Sequence, residues 1–255
     1  MNEVIMTMIR LNRAIWFGFL AIVPFALISC NMSNEAPQEL SHIHKTTMLI
    51  KTFEPNPKFD RHDPSNIIQY ENRYWVYYTR NIGNHKEVSI WVASSIDGYN
   101  WNDLGQSLPC GPRGSWDESG TIAPYIVIHK KMFYLFYTGF CQGDLSTRQL
   151  GCAISDKPEG PWKRWPGNPI LRQDPDPSVW DSGMLGDSNV LFREGKWWLY
   201  YKSRRHEETA KETRIGVAIA DEITGPYKKF LQILFSRDML FLLGSIEKEW
   251  QPYVV

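Results

Sequence analysis

The stretch Trp197-Trp198-Leu199-Tyr200-Tyr201-Lys202 has two counterparts earlier in the chain, Tyr74-Trp75-Val76-Tyr77-Tyr78-Thr79 and Phe133-Tyr134-Leu135-Phe136-Tyr137-Thr138. The starts of the three stretches lie 59 and 64 residues apart. After each comes a strand of small residues running into a turn. These read Val92-Ala93-Ser94-Ser95 to Asp97-Gly98 and Trp101, Cys152-Ala153-Ile154-Ser155-Asp156 to Gly160-Pro161-Trp162, and Val217-Ala218-Ile219-Ala220-Asp221 to Gly225-Pro226-Tyr227. Before each aromatic stretch lies an apolar strand and a tight polar turn, Glu71-Asn72-Arg73, His129-Lys130-Lys131 and Arg193-Glu194-Gly195-Lys196. Strand units repeated at this spacing and closed by Gly/Pro turns are the mark of propeller blades. The expected fold is all-β, a β-propeller with about three recognisable blades.

A propeller delivers the first strand of each blade to its central axis, so function is sought just before each aromatic stretch. Ten or eleven residues upstream of them stand Asp63 in Arg61-His62-Asp63-Pro64-Ser65-Asn66, Ala123-Pro124 before Tyr125, and Asp187 in Gly186-Asp187-Ser188-Asn189. Either aspartate alone reads first as a structural turn residue. Asp63 and Asp187 at one offset in two repeats are instead expected to meet in one axial pocket. Two carboxylates facing a cleft are the minimum kit for cleaving a glycosidic bond. His62 and Arg61 are candidates to orient the base or bind a hydroxyl or sulfate. Trp116, Trp180 and Tyr125 are candidate sugar-stacking faces, with blade packing the alternative for each.

The chain of 255 residues has zero formal net charge and no basic cluster, which points away from nucleic acid. Arg10 and Arg13 precede an apolar run from Ala14 to Ile28 that ends in Leu27-Ile28-Ser29-Cys30. A positive flank, a short apolar core and a small residue before cysteine describe an export signal. The expectation is a lipoprotein signal over residues 1–29, Cys30 as the lipidated residue, and a tether over 30–58. Localisation would then be the periplasm or cell surface of a bacterium, with the membrane reached only through the lipid. His42 and His44 fall in the tether and suggest no metal site. Of the remaining cysteines, Cys110, Cys141 and Cys152, an oxidising compartment allows one disulfide and one free thiol, and their spacing does not choose the pair.

The propeller-like segment is assigned to residues 59–230 and an atypical tail to 231–255. After Gly225-Pro226-Tyr227 no fourth aromatic stretch follows; the chain reads Phe230-Leu231-Gln232-Ile233-Leu234-Phe235-Ser236 and continues through Met239-Leu240-Phe241-Leu242-Leu243. The tail reads as a replaced or truncated carboxyl end, with a short terminal helix over an open face as the alternative.

The Asp63 segment followed by Asn72-Arg73-Tyr74-Trp75-Val76-Tyr77-Tyr78 resembles the first blade of the five-bladed propeller glycosidases. Trp91 to Trp101, and Trp180-Asp181-Ser182-Gly183 followed by Asp187, are most similar to glycoside hydrolase family 117, the anhydrogalactosidases that trim agar fragments; family 43 comes next. The resemblance covers roughly Lys58 to Phe230. It implies Asp63 as the general base that activates water in an inverting reaction, and Asp187 as the second carboxylate, holding substrate and tuning the base. Family 117 assigns the acid to a histidine of a later blade, which has no counterpart here; the last histidine is His206. Family 43 uses a glutamate, for which Glu118 is the candidate. No cofactor is implied beyond the divalent cation that some of these propellers hold near the axis.

The function expected is a glycoside hydrolase acting on oligosaccharide ends, red algal galactans first and arabinose- or xylose-containing glycans next. Two alternatives stay open at this point: a surface glycan-binding lipoprotein without turnover, and an inactive truncated glycosidase. Oligomeric state is open as well.

Overall fold

The computed structural model describes residues 60–82 and 87–236. The signal segment, Cys30, the tether and residues 237–255 of the tail lie outside the described residues. The first blade holds β1 (Asp60–His62), β2 (Ile68–Tyr70), β3 (Arg73–Ile82), β4 (Glu87–Ser95) and β5 (Asn102–Leu108). In the second are β6 (Gly120–His129), β7 (Met132–Phe140), β8 (Gln149–Ser155) and β9 (Lys163–Arg164). The third comprises β10 (Met184–Arg193), β11 (Lys196–Arg204), β12 (Arg214–Ala220) and β13 (Lys228–Ser236). Within each blade consecutive strands pair antiparallel, β1 and β2 both pairing with β3. Among the described residues a single parallel pair, Val88 with Gly120, joins the first blade to the second. The strand β13 runs to Ser236, pairing Phe235 with Ile215, so Leu231 to Ser236 form its outer end rather than a separate tail.

The hairpins that open each blade follow from their turn residues. Glu71 and Asn72, Lys130 and Lys131, and Glu194 and Gly195 all take positive φ, between 48° and 74°. Two consecutive left-handed residues are the backbone of the tight turn whose twist matches two antiparallel strands.

The aromatic strands alternate faces, and this alternation builds the core between blades. Trp75 and Tyr77 face forward from β3 and pack with Ile126, Phe133, Leu135 and Tyr137 of the second blade. Phe136 faces forward from β7 and packs with Leu185, Val190, Trp197, Leu199 and Tyr201 of the third. The side chains Tyr77, Phe133, Leu135, Phe136 and Leu199 are fully buried. Burial of a large apolar side chain contributes roughly 1.5–3 kcal/mol, so these layers carry much of the stability.

A second repeated device sits behind the aromatic strands. Asp117 and Asp181 are almost wholly buried, and each accepts a hydrogen bond from a tyrosine of its own blade, Tyr137 at 3.0 Å and Tyr201 at 2.8 Å. A cation from the blade's last strand completes each: Arg164 Nε on Asp117 and Lys229 Nζ on Asp181, both at 2.7 Å. Burying such a charge without a partner is expensive, which is why each carboxylate collects a phenol and a cation. Cys110, Cys141 and Cys152 are all free thiols, so the disulfide allowed by their number is not formed; Cys152 serves as a small apolar residue inside β8.

Candidate functional site

Each first strand breaks its ladder at the axis. The β6–β7 register shifts between Ile122 and Tyr125, and the β10–β11 register between Gly186 and Asn189. The residues at these breaks are left-handed: Ala123 at φ 49° and Asp187 at φ 51°, matched by Asp63 at φ 48° between β1 and β2. An L-residue pays for this conformation in steric strain, and Asp carries it more readily than Ala. The three breaks re-aim one residue per blade toward the axis. They line a pocket of about 370 Å³ formed by Asp63 to Asn66, Ala123 to Tyr125 and Asp187 to Asn189.

The breaks are held by the preceding blade. Thr79, which ends the aromatic run of β3, accepts a hydrogen bond from the Ala123 amide at 2.9 Å. Thr138, at the same position of β7, accepts one from the Asp187 amide at 3.3 Å. Both threonines are fully buried. Asn66 adds a clasp, its carboxamide accepting from the Ile126 amide at 3.0 Å and donating to the Ile126 carbonyl at 2.9 Å. The pocket is thus fixed by contacts that run from one blade to the next.

Asp63 and Asp187 are its two carboxylates, and both have cationic neighbours. His62 Nδ1 lies 2.9 Å from Asp63 Oδ2. That hydrogen bond holds the Asp63 carboxyl below its ordinary 3.8, with help from the charge of Lys202 and the Thr79 hydroxyl. The same hydrogen bond lifts the His62 imidazole above 6.5, against the opposing effect of burial. Asp187 Oδ2 is ion-paired with the Lys202 ammonium. Lys202 stands on β11 where the two earlier blades carry Thr79 and Thr138. Arg148 comes close from the β7–β8 loop: burial lowers its pKa, while Asp187 and Asp63 oppose that drop.

The other expected site residues take different places. Arg61 pairs with Asp103 at 3.4 Å and lies over the Tyr78 ring. Tyr125 lines the pocket. One face of Trp116 is stacked on Tyr137 and one face of Trp180 on Tyr201, with ring centroids 5.5 and 5.8 Å apart. The edges of these indoles lie against Gly151 and Gly216, which gives them a packing role. Glu118 accepts hydrogen bonds from the amides of Gly114 at 2.5 Å and Gln142 at 3.4 Å, and is not among the pocket-lining residues. Among the described residues no three His, Cys, Asp or Glu side chains gather as metal ligands.

Sequence reasoning missed Lys202, Arg148, Thr79 and Thr138. The one available signal was the break in the Thr79, Thr138, Lys202 series at the ends of the aromatic strands.

Propeller blades with two carboxylates at the axis define the class of the propeller glycosidases. Residues 54–184, just over half of the sequence, match the model of glycosyl hydrolases family 43, and the protein belongs to that family. The matched segment includes Asp63 and stops short of Asp187. Among solved structures it is similar to Zg3597, a family 117 glycoside hydrolase of the marine bacterium Zobellia galactanivorans, at 25% identity and a TM-score of 0.63. That alignment covers 72% of this chain and 59% of the other, so the chain spans well under two thirds of that relative. Fructan 1-exohydrolase IIa from Cichorium intybus shares the fold at 18% identity, TM-score 0.57, over 71% of this chain and 33% of that one. The GH32 beta-fructofuranosidase BmSUC1 of Bombyx mori does so at 18% identity, TM-score 0.54, over 69% of this chain and 36% of its own. No curated protein matches the chain.

Proposed function

We propose that this protein is a glycoside hydrolase that cleaves oligosaccharides from their ends, with Asp63 as the base and Asp187 as the second carboxylate. The observation that carries the reading is the convergence of both aspartates, on left-handed breaks of two blades, into one pocket. Asp63, kept ionised by His62, is fit to take a proton from water as that water attacks the anomeric carbon, while the glycosidic C–O bond breaks and its oxygen leaves with a proton drawn from solvent. Asp187, tied to Lys202, offers a fixed acceptor for a sugar hydroxyl and a charge beside the forming oxocarbenium ion. Similarity to family 117 supports red algal galactans as the first substrate class, and membership of family 43 supports arabinose- and xylose-containing glycans as the next. The Leu27-Ile28-Ser29-Cys30 ending supports an exported form anchored through lipid on Cys30.

The test is to incubate the full chain with oligosaccharides from agar, arabinan and xylan and to measure new reducing ends. Release from at least one, lost in Asp63→Asn, is the expected result. Sugar binding without release from any of them would favour a glycan-binding role for the same pocket.

A further inference from the structure

The same Ser-Asn pair follows the axial break in the first and third blades, as Ser65-Asn66 and Ser188-Asn189. Asn189 lies opposite Tyr200 in the β10–β11 register, and Tyr125 opposite Phe136 in the β6–β7 register. Asn66 stands two residues before Ile68, which faces Trp75, so Asn66, Tyr125 and Asn189 share one position, and all three line the pocket. In the first blade the fold uses both members of the pair. The Ser65 hydroxyl donates to the Asn66 carbonyl at 2.7 Å and accepts from the Tyr77 amide at 3.0 Å, while the Asn66 carboxamide is spent on Ile126. In the third blade neither member is used. Ser188 is 3% exposed, and its hydroxyl has no hydrogen-bond partner among the described residues. The Asn189 carboxamide makes no hydrogen bond with the described residues either, and the residue is exposed at the pocket wall.

An unbonded buried hydroxyl is uncommon in a folded protein, and here its counterpart in the first blade is fully bonded. The contrast marks the polar groups after Asp187 as free for a ligand. A carboxamide presents an acceptor oxygen and a donor nitrogen side by side. Two adjacent sugar hydroxyls present the complement, one donating to the oxygen and the other accepting from the nitrogen. We propose that Asn189 recognises a vicinal diol of the sugar bound at the axis, which makes it a specificity-determining residue next to Asp187. The inference rests on the glycan-processing reading of the pocket and names the hydroxyl pattern that its substrate carries. A sugar lacking one hydroxyl of that diol leaves half of the carboxamide edge unpaired and is discriminated against.

A ligand-observed NMR titration of the full chain with methyl β-D-galactopyranoside, methyl β-D-xylopyranoside and their monodeoxy analogues tests it. For the parent sugar that binds, at least two deoxy analogues, lacking adjacent hydroxyls, are expected to bind about tenfold more weakly, the order of a lost hydrogen bond with its partner left unpaired. Asn189→Ala should bind the parent about tenfold more weakly and no longer distinguish it from those two analogues, which is the signature of direct coupling in a double-mutant cycle. Asn189→Leu, of similar size but without donor or acceptor, should do the same and stands in if the first variant loses the wild-type near-ultraviolet circular dichroism. Wild-type affinity and discrimination in both variants overturns the diol reading and leaves the glycan pocket intact. A lower Tm with unchanged affinity per folded molecule also overturns it, and assigns Asn189 a structural clasp like that of Asn66. Binding of neither parent sugar contradicts the glycan pocket itself.

Discussion

The Lys202 ammonium is ion-paired with the Asp187 carboxylate across the β10–β11 hairpin, from the strand position that holds a threonine in both earlier blades. Thr79 and Thr138 use that position to fasten the next blade's axial break; Lys202 uses it to fix a carboxylate within its own blade. One substitution in a repeated series thus changes a structural contact into a site contact.

Lys202→Met should therefore disturb the site more than the fold. Turnover is expected to fall on the order of a hundredfold, the usual effect of a misplaced group near the reacting centre. Lys202→Arg should restore much of it. Steady-state kinetics check this: a positioning role lowers kcat, whereas a purely structural role would lower the amount of folded protein and leave kcat per folded molecule unchanged.

His62 sets the acid side of the pH profile. Its hydrogen bond lowers the Asp63 pKa, so His62→Gln should raise it, and the acidic limb of kcat/KM should move to higher pH. The same pair gives stability a window. The Asp63 contribution is present above 3.8 and lost as pH falls through its lowered pKa. The His62 contribution is present below 6.5 and lost as pH rises through its raised pKa. Both side chains are more than a third exposed, so the effect on stability is small and the activity profile is the sensitive measurement.

Asp117 should behave as a structural group. Asp117→Ala removes the acceptor shared by the Tyr137 hydroxyl and Arg164 Nε and leaves a buried void, and is expected to cost about 3 kcal/mol. Urea unfolding should show a lower midpoint with an unchanged slope.

Gly216 is a contact glycine. A Cβ there would lie 2.6 Å from Tyr201 Cζ and 2.7 Å from Trp180 Cη2, two rings stacked on each other and unable to give way. Gly216→Ala should destabilise by roughly 1–3 kcal/mol through overpacking, read as a fall in Tm. If Trp180 were instead free to move as a sugar platform, the substitution would be nearly neutral.

The blades were legible in the sequence because each is a local unit: alternation, turn residues and Gly/Pro punctuation all lie within about 40 residues of one another. The offset of Asp63 and Asp187 from the aromatic strands was legible for the same reason. What escaped was contact between blades. Nothing local distinguishes Thr79 as the acceptor for Ala123, or marks Arg148, in a polar loop, as bonded through its carbonyl to Leu185. Trp116 and Trp180 were ambiguous because an indole suits both a sugar and a core. Their packing against Gly151 and Gly216 becomes visible only once the strands are paired. The end of β13 was obscured by its composition: Leu231 to Ser236 lacks the aromatic repeat, yet its backbone completes the ladder with β12.

The central claim is that Asp63 performs chemistry in the axial pocket, and time-resolved proton NMR of the anomeric region tests it most directly. With wild-type protein and a cleavable oligosaccharide, new reducing-end anomeric signals should grow with time. With Asp63→Asn they should be absent while the ligand lines remain broadened by binding. Growth at the wild-type rate in Asp63→Asn would contradict the account.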